Sequence, residues 1–277
     1  KNKSLFVARD RLGVKPLFYS EMNGDYYFAS DIKSLWVKIN PSGLLNDSAI
    51  YNYFGQGYIS ETTTTTKTIK KFPPGHHQTI NNLNNEFIKY WDITFNDEIN
   101  QMNFHDSVIE TEKILEDAVK IRLRSDVSLG TFLSGGIDST IVTGITKKFI
   151  QNDLNTFAIG FNSNQFDESK YANSVAANLG TNHTLKTLDI TALNQLPMIV
   201  WQYSELFADS SSIPTYWVSN LASKSLKVVL TGDGADEAFG GYLDPFVVYN
   251  SERYLKAPKI IRQALNNIFM NEIRFPG

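Results

Sequence analysis

The chain has 277 residues, 42% of them apolar and 20% charged, a composition that suits a folded globular protein with room for two domains. A net charge of -3 with a pI near 5.9 gives no general electrostatic reason to bind nucleic acid or an acidic membrane surface, and the absence of cysteine excludes disulfides, a thiolate nucleophile and cysteine-ligated zinc. No apolar run approaches the roughly 20 residues of a membrane span and no signal-peptide order opens the chain, so a cytoplasmic location is expected.

The first ninety or so residues alternate short apolar runs with turn residues. Strands are expected at Leu5 to Ala8, Leu17 to Tyr19, Tyr26 to Ala29, Gln78 to Ile80 and Phe87 to Tyr90, with one helix from Asp47 to Tyr53. Asn23-Gly24-Asp25 and Pro73-Pro74-Gly75 are turn chemistry. The threonine run from Thr62 to Thr66 reads as an exposed strand or loop, and the basic cluster Lys67, Lys70 and Lys71 reads as a solvated face. His76 and His77 follow Gly75 and are expected in a surface turn.

Asp92 to Asn103 is polar and weakly patterned, which divides the chain into residues 1–92, a linker at 93–106 and a second domain at 107–277. Beyond it, Val108, Thr111, Leu115, Ala118 and Val119 recur at helical spacing from Ser107 to Arg122. Strand-like runs at Val127 to Leu133, Thr156 to Phe161, Thr184 to Leu188 and Val228 to Thr231 then alternate with helices near Ser139 to Phe149, Glu168 to Leu179, Ala192 to Glu205 and Pro214 to Ser223. That alternation predicts right-handed βαβ crossovers and an α/β fold whose parallel sheet is covered by helices. Ligands bind such sheets at the carboxyl ends of strands, here the residues after Leu133, Phe161 and Leu230.

Ser134-Gly135-Gly136-Ile137-Asp138-Ser139 lies where the first of these strands runs into a helix. Free backbone N–H groups and the positive end of the helix dipole would gather there, the glycines allow close backbone approach, and the two serines add hydroxyl donors. Asp138 would repel a phosphate unless a divalent cation lay between them, so the string implies Mg²⁺ shared by carboxylate and phosphate oxygens. No Gly-Lys-Ser/Thr follows, which argues against a Walker A loop and γ-phosphate transfer. A second strand end opens Thr231-Gly232-Asp233-Gly234-Ala235-Asp236-Glu237, with Gly240-Gly241-Tyr242 just beyond. Its three carboxylates repel one another unless a cation or a positive partner is present. His183 reads as a partly buried imidazole near a strand start, an approach to a nucleotide being the alternative.

Together the two strings resemble the N-type ATP pyrophosphatase domain, and within it the synthetase domain of glutamine-hydrolysing asparagine synthetases. The likeness extends to Arg9-Asp10-Arg11-Leu12-Gly13-Val14-Lys15-Pro16-Leu17-Phe18-Tyr19, Ala29-Ser30-Asp31-Ile32-Lys33-Ser34-Leu35 and Phe72-Pro73-Pro74-Gly75, which look like later strands of that family's β-rich glutaminase domain, of the N-terminal nucleophile type. Thr156 to Phe161 and Asp167-Glu168-Ser169 look like its second nucleotide strand and following helix.

The resemblance implies that Leu133, Ile159, Thr231 and Gly232 contact ATP, that Ser134, Gly135, Gly136, Asp138 and Ser139 hold its phosphates, and that Asp138 and Asp236 hold Mg²⁺. Asp233 stands where the family often has a glutamate implicated in forming an aspartyl-adenylate, and Asp209 to Ser212 stands where a substrate-side loop is expected. The implied reaction converts aspartate to asparagine with ATP, and with ammonia drawn from glutamine in an intact enzyme. Small molecules are the expected partners, without nucleic acid or membrane, and a homodimer is compatible with the family.

Both ends are expected to be cut, because no initiator methionine opens the chain and Phe275-Pro276-Gly277 closes it without a cap. The family's N-terminal cysteine and its downstream lysine are not among these residues, so this segment alone is expected to hydrolyse no glutamine and to be a poor synthetase. Related synthetases that close β-lactam or lasso-peptide rings or amidate sugars share the pattern, and a non-catalytic nucleotide-binding remnant is the reading from another class.

Overall fold

The computed structural model describes residues 4–40, 44–60, 62–81, 85–94, 102–150, 153–162, 167–256, 258–259 and 261–263. The expected linker falls partly on 95–101, and both chain ends also lie outside the described residues. Backbone contacts divide the chain into two units, one of Lys1–Thr111, Ile159–Asn164 and Lys186–Lys224, the other of Glu112–Ala158, Gln165–Leu185 and Ser225–Gly277.

In the first unit, β1 (Leu5–Ala8), β2 (Phe18–Met22) and β3 (Asp25–Ala29) precede the helices α1 (Ile32–Ile39) and α2 (Asp47–Gln56), and β4 (Lys70–Lys71), β5 (His76–Ile80) and β6 (Phe87–Lys89) follow. They make two antiparallel sheets, ordered β1-β5-β6 and β3-β2-β4. Asn23 and Gly24, both at positive φ, close the tight β2-β3 hairpin as a two-residue turn of that sequence should. Asp31 caps α1 by accepting from the Lys33 amide, and Ile32, Leu35 and Ile39 recur on one face to pack on Phe18 and Ile69.

Arg9 and Asp10 organise the loop between β1 and β2. The Arg9 guanidinium donates to the carbonyls of Gly13, Lys15 and Phe72, and the Asp10 carboxylate accepts from the amides of Val14 and Lys15.

Three surface expectations for this unit are overturned. Thr64 and Thr66 are buried, because the Thr64 hydroxyl closes a local network with Thr66 and the Ile69 carbonyl. Lys71 is not on a solvated face: its ammonium lies 2.8 Å from Glu205, with both side chains mostly buried. His76 and His77 open β5 as half-buried residues instead of sitting in a turn.

Also in this unit, a 3₁₀ turn at Ile190–Gln195 leads into α6 (Leu196–Tyr203), and α7 (Ser212–Ala222) follows. A single helix was expected from Ala192 to Glu205. Pro197 has no N–H to continue the preceding turn and sits in the first turn of a new helix, and Ser204 ends that helix in the left-handed region.

Along the chain come α3 (Phe104–Arg122), β7 (Leu129–Phe132), α4 (Ile137–Phe149), β8 (Asn155–Phe161), α5 (Ser169–Leu179), β9 (Asn182–Leu188), β10 (Val228–Leu230), α8 (Ala235–Phe239) and α9 (Asp244–Lys256). The sheet order is β10-β7-β8-β9, with β7 parallel to both β8 and β10. The continuous apolar character of β8 suits a central strand buried on both faces. On α4, Ser139, Thr143 and Thr146 face inward, and the Thr143 hydroxyl meets that of Thr131 on β7 at 3.0 Å. Small hydroxyl side chains let this helix approach the sheet closely, with those of Ser139 and Thr143 hydrogen-bonded and that of Thr146 buried without a partner among the described residues.

Chain order β7, β8, β9 runs outward in one direction, and β10 returns to the other side of β7. The strand order therefore reverses between β7 and β10, which is where an open α/β sheet leaves a crevice at its carboxyl edge.

Candidate active site

Both motif loops leave the sheet at that reversal, one after β7 and one after β10. Between them lies a cavity of about 400 Å³, lined by Ser134, Gly136, Asp138 and Ser139 from the first loop and by Thr231, Gly232, Asp233 and Asp236 from the second. This is within the range of small-molecule sites.

The first loop is held open from behind. Gly135 has φ +92, and a Cβ there would stand 2.6 Å from the Ala172 amide nitrogen on α5, so neither the conformation nor the space admits a side chain. The Ser134 hydroxyl accepts from the Gly136 amide and meets the Ser139 hydroxyl at 3.0 Å. Gly136 is the N-cap of α4 and supplies no side-chain cap, so the first-turn amides of Ile137, Asp138 and Ser139 are left for an external acceptor.

On the other side, Gly232 faces the same turn. A Cβ on Gly232 would lie 2.9 Å from the Ser139 nitrogen and 3.0 Å from the Asp138 Cβ, so a side chain would fill the space in front of those amides. The Asp233 amide donates to the Thr231 hydroxyl at 3.4 Å, and the Tyr242 hydroxyl donates to Glu237 at 3.0 Å.

Of the residues expected to contact ATP, Leu133 and Ile159 are not among those lining the cavity. Leu133 is fully buried against Ala158, Ala172 and Ala176, its amide donating to the Phe157 carbonyl, and Ile159 sits half-buried in β8. Gly135 shapes the loop from behind it. Phe132 lines the cavity without having been singled out, and Gly234, Glu237 and Tyr242, which belong to the second motif and its glycine-rich continuation, line it without having been assigned a site role. Among the described residues no group of three or more His, Cys, Asp or Glu side chains forms a metal cluster. Hard carboxylate oxygens from Asp138 and Asp236 on opposite walls nevertheless suit a cation that takes its remaining ligands from phosphate and water.

Comparison with known families now places the molecule. The asparagine synthase family profile matches residues 110–274, and that of a glutamine amidotransferase domain matches residues 1–91. The chain belongs to the asparagine synthase family. It is 37% identical over 246 residues to asparagine synthetase [glutamine-hydrolyzing] 1 of Bacillus subtilis, covering 86% of this chain and 37% of that protein. Against the putative asparagine synthetase [glutamine-hydrolyzing] 2 of Methanocaldococcus jannaschii it is 36% identical over 268 residues, 95% of this chain and 52% of that protein. The chain thus spans between about a third and a half of these family members' length. Among solved structures, NMN synthetase from Francisella tularensis superposes with a TM-score of 0.36 at 16% identity, covering 48% of this chain and 58% of that one, too loose a likeness to bear on function.

His183 of this family member sits in β9, with its Nδ1 at 2.8 Å from the Thr156 hydroxyl. Burial lowers its pKa from the ordinary value, and its Nε2 has no hydrogen-bond partner among the described residues. The folded state therefore binds a proton less readily than the unfolded chain. The stability this contributes is present above the ordinary histidine pKa of about 6.5 and is lost as pH falls through that value towards the depressed folded one. Urea unfolding at about pH 7.5 and about pH 5.5 should show a loss on acidification that shrinks in His183→Gln. An unchanged loss in the variant would assign the pH dependence to other groups.

Proposed function

We propose that the chain carries the ATP-using part of an enzyme that amidates aspartate to asparagine through a β-aspartyl-adenylate. The observation that carries this reading is the apposition of the two motif loops around one cavity at the β7-β10 reversal, with amides, hydroxyls and Asp138 from the first loop and Asp233 and Asp236 from the second.

In this reading the α4 amides and the Ser134 and Ser139 hydroxyls receive the phosphates. Their fixed dipoles face negative charge that grows on pyrophosphate as it leaves, which is where preorganised donors lower a barrier. Asp138 and Asp236 would hold Mg²⁺, which would supply charge neutralisation when bound. A side-chain carboxylate oxygen of aspartate attacks the α-phosphorus, and the bond to the bridging oxygen breaks to release pyrophosphate. Ammonia then attacks the acyl carbon, a C–N bond forms, AMP departs with the C–O electron pair, and the nitrogen sheds a proton. Asp233, exposed at the second loop, is placed in this reading beside the acid and the adenylate.

Ammonia would come from glutamine, consistent with the amidotransferase match at residues 1–91. Small molecules are the partners. No helix among the described residues is long and apolar enough to cross a membrane, and a cytoplasmic location belongs to the same proposal.

The reading is tested by supplying the full chain with MgATP and ammonium and following pyrophosphate. Release that requires aspartate supports it. Release indifferent to added acid would move the chain to nucleotide hydrolysis.

A further inference from the structure

Helix α8 is only five residues long, and Gly240 ends it in the left-handed region at φ +71. The chain thereby doubles back over Asp236, whose carbonyl accepts from the Gly240 amide and from the Gly241 amide, the latter at 2.9 Å. The Tyr242 hydroxyl then donates to Glu237, so the returning segment is tied to the helix through backbone and side chain alike.

This return lays Gly241 against the Asp236 carboxylate. A Cβ at Gly241 would overlap that carboxylate, standing 2.8 Å from its Cγ and 3.2 Å from the Asp236 Cα. Gly241 is not among the glycines at positive φ, so a side chain there is opposed by lack of space and not by backbone conformation.

An added methyl is relieved by the softer partner. Hydrogen bonds from Gly240, Gly241 and Tyr242 hold the turn, whereas the carboxylate needs only rotation about χ1 to leave. Side-chain wells lie roughly 120° apart, so the carboxylate moves by a whole rotamer and not by a small adjustment. Mg²⁺ is sensitive to such a move, because it demands near-octahedral oxygen ligands at about 2.0–2.1 Å.

We propose that Gly241 is a positioning residue for the cation: the space left by its missing Cβ fixes the Asp236 carboxylate on the cavity wall, where it would hold Mg²⁺. The inference rests on the proposed ATP site and adds to it a residue that does not itself line the cavity.

The test is calorimetric titration with ATP, in Mg²⁺ and in EDTA, of the full chain carrying Gly241→Ala, Asp236→Ala or both. Gly241→Ala is expected to weaken binding in Mg²⁺ by about tenfold or more, close to the loss in Asp236→Ala, and to leave metal-free binding no weaker. On the Asp236→Ala background Gly241→Ala should add nothing, since no carboxylate remains to displace. Circular dichroism and urea unfolding check that each variant folds. Wild-type affinity of Gly241→Ala in Mg²⁺, alongside a loss in Asp236→Ala, would overturn the inference and leave the cation site standing. No loss in Asp236→Ala would instead remove the cation site and the inference with it. A Gly241→Ala loss that persists on the Asp236→Ala background, or failure of Gly241→Ala to fold, would also overturn it, because the methyl would then act through the backbone.

Discussion

Replacing Asp138 with alanine is expected to weaken Mg²⁺-dependent ATP binding by about ten- to a hundredfold while leaving the fold intact. Asp138 is in the first turn of α4, on the cavity wall opposite Asp236. In the proposed reading its carboxylate opposes a phosphate at that helix end without a cation and would become a ligand with Mg²⁺. Contacts to charged groups contribute about 1.5–3 kcal/mol, and each 1.4 kcal/mol is tenfold in affinity, which sets the range. Without Mg²⁺ the variant should bind ATP as well as the wild type or better, because a repulsion has been removed. Calorimetric titration with and without the metal separates these outcomes. Equal affinity in Mg²⁺ would remove Asp138 from the cation site. Asp233→Asn provides the contrast: it should keep ATP binding and lose aspartate-dependent pyrophosphate release, whereas equal loss of both would assign Asp233 to the nucleotide.

The largest loss of stability is expected from Lys71→Met. The Lys71 ammonium donates to the Ile59 carbonyl at 3.1 Å and pairs with Glu205 at 2.8 Å, and the two side chains are only 16% and 13% exposed. Burial pushes the Glu205 carboxyl above the ordinary carboxylate value, while the hydrogen bond and charge of Lys71 pull it back. Removing the cation leaves an uncompensated buried carboxylate, a change that costs about 3–5 kcal/mol.

The pH dependence has a definite sign. A carboxyl whose folded pKa is raised takes up a proton more readily when folded, so its contribution is most favourable below the unfolded value of about 4.3 and worsens as pH rises through the folded one. Loss of Lys71 raises that folded value further, so the variant's deficit should be greatest at neutral pH and should narrow on acidification. Denaturant unfolding across pH measures this. A double change, Lys71→Met with Glu205→Leu, should recover most of the loss, since a packed apolar pair can replace a buried ion pair. A deficit independent of pH and not rescued by the double change would mean that Lys71 acts through packing alone.

Much of the α/β sheet was legible because β8 is a short apolar run, because β7 and β10 stop at glycine-rich turns, and because the helices between strands carry a helical period. The loop at Ser134 to Ser139 was legible for a related reason: Gly135 must stand where no Cβ fits and Gly136 must cap α4 without a side chain, so the backbone geometry is written in residue type. What escaped was contact that residue type does not announce, over long sequence separations and short ones alike. Lys71 looks like one of three surface lysines until Glu205, far along the chain, is folded against it. Thr64 and Thr66 look polar and exposed until their hydroxyls close on each other and on Ile69. Helix α9 was missed although Asp244-Pro245 is a helix-start signal, because its apolar residues Val247, Val248 and Leu255 remain exposed and show no single core-facing stripe. Leu133 and Ile159 were assigned to ATP by resemblance, where side-chain chemistry could not indicate whether a strand-end residue faces the crevice or the core.

The central claim, adenylation of aspartate followed by amidation, is tested most directly by product identification. The full chain is supplied with MgATP, aspartate and isotopically labelled ammonium, and the mixture is analysed by mass spectrometry. The account predicts labelled asparagine together with AMP and pyrophosphate in equal amounts. ADP and inorganic phosphate, or labelled amide formed only from an acid other than aspartate, would contradict it.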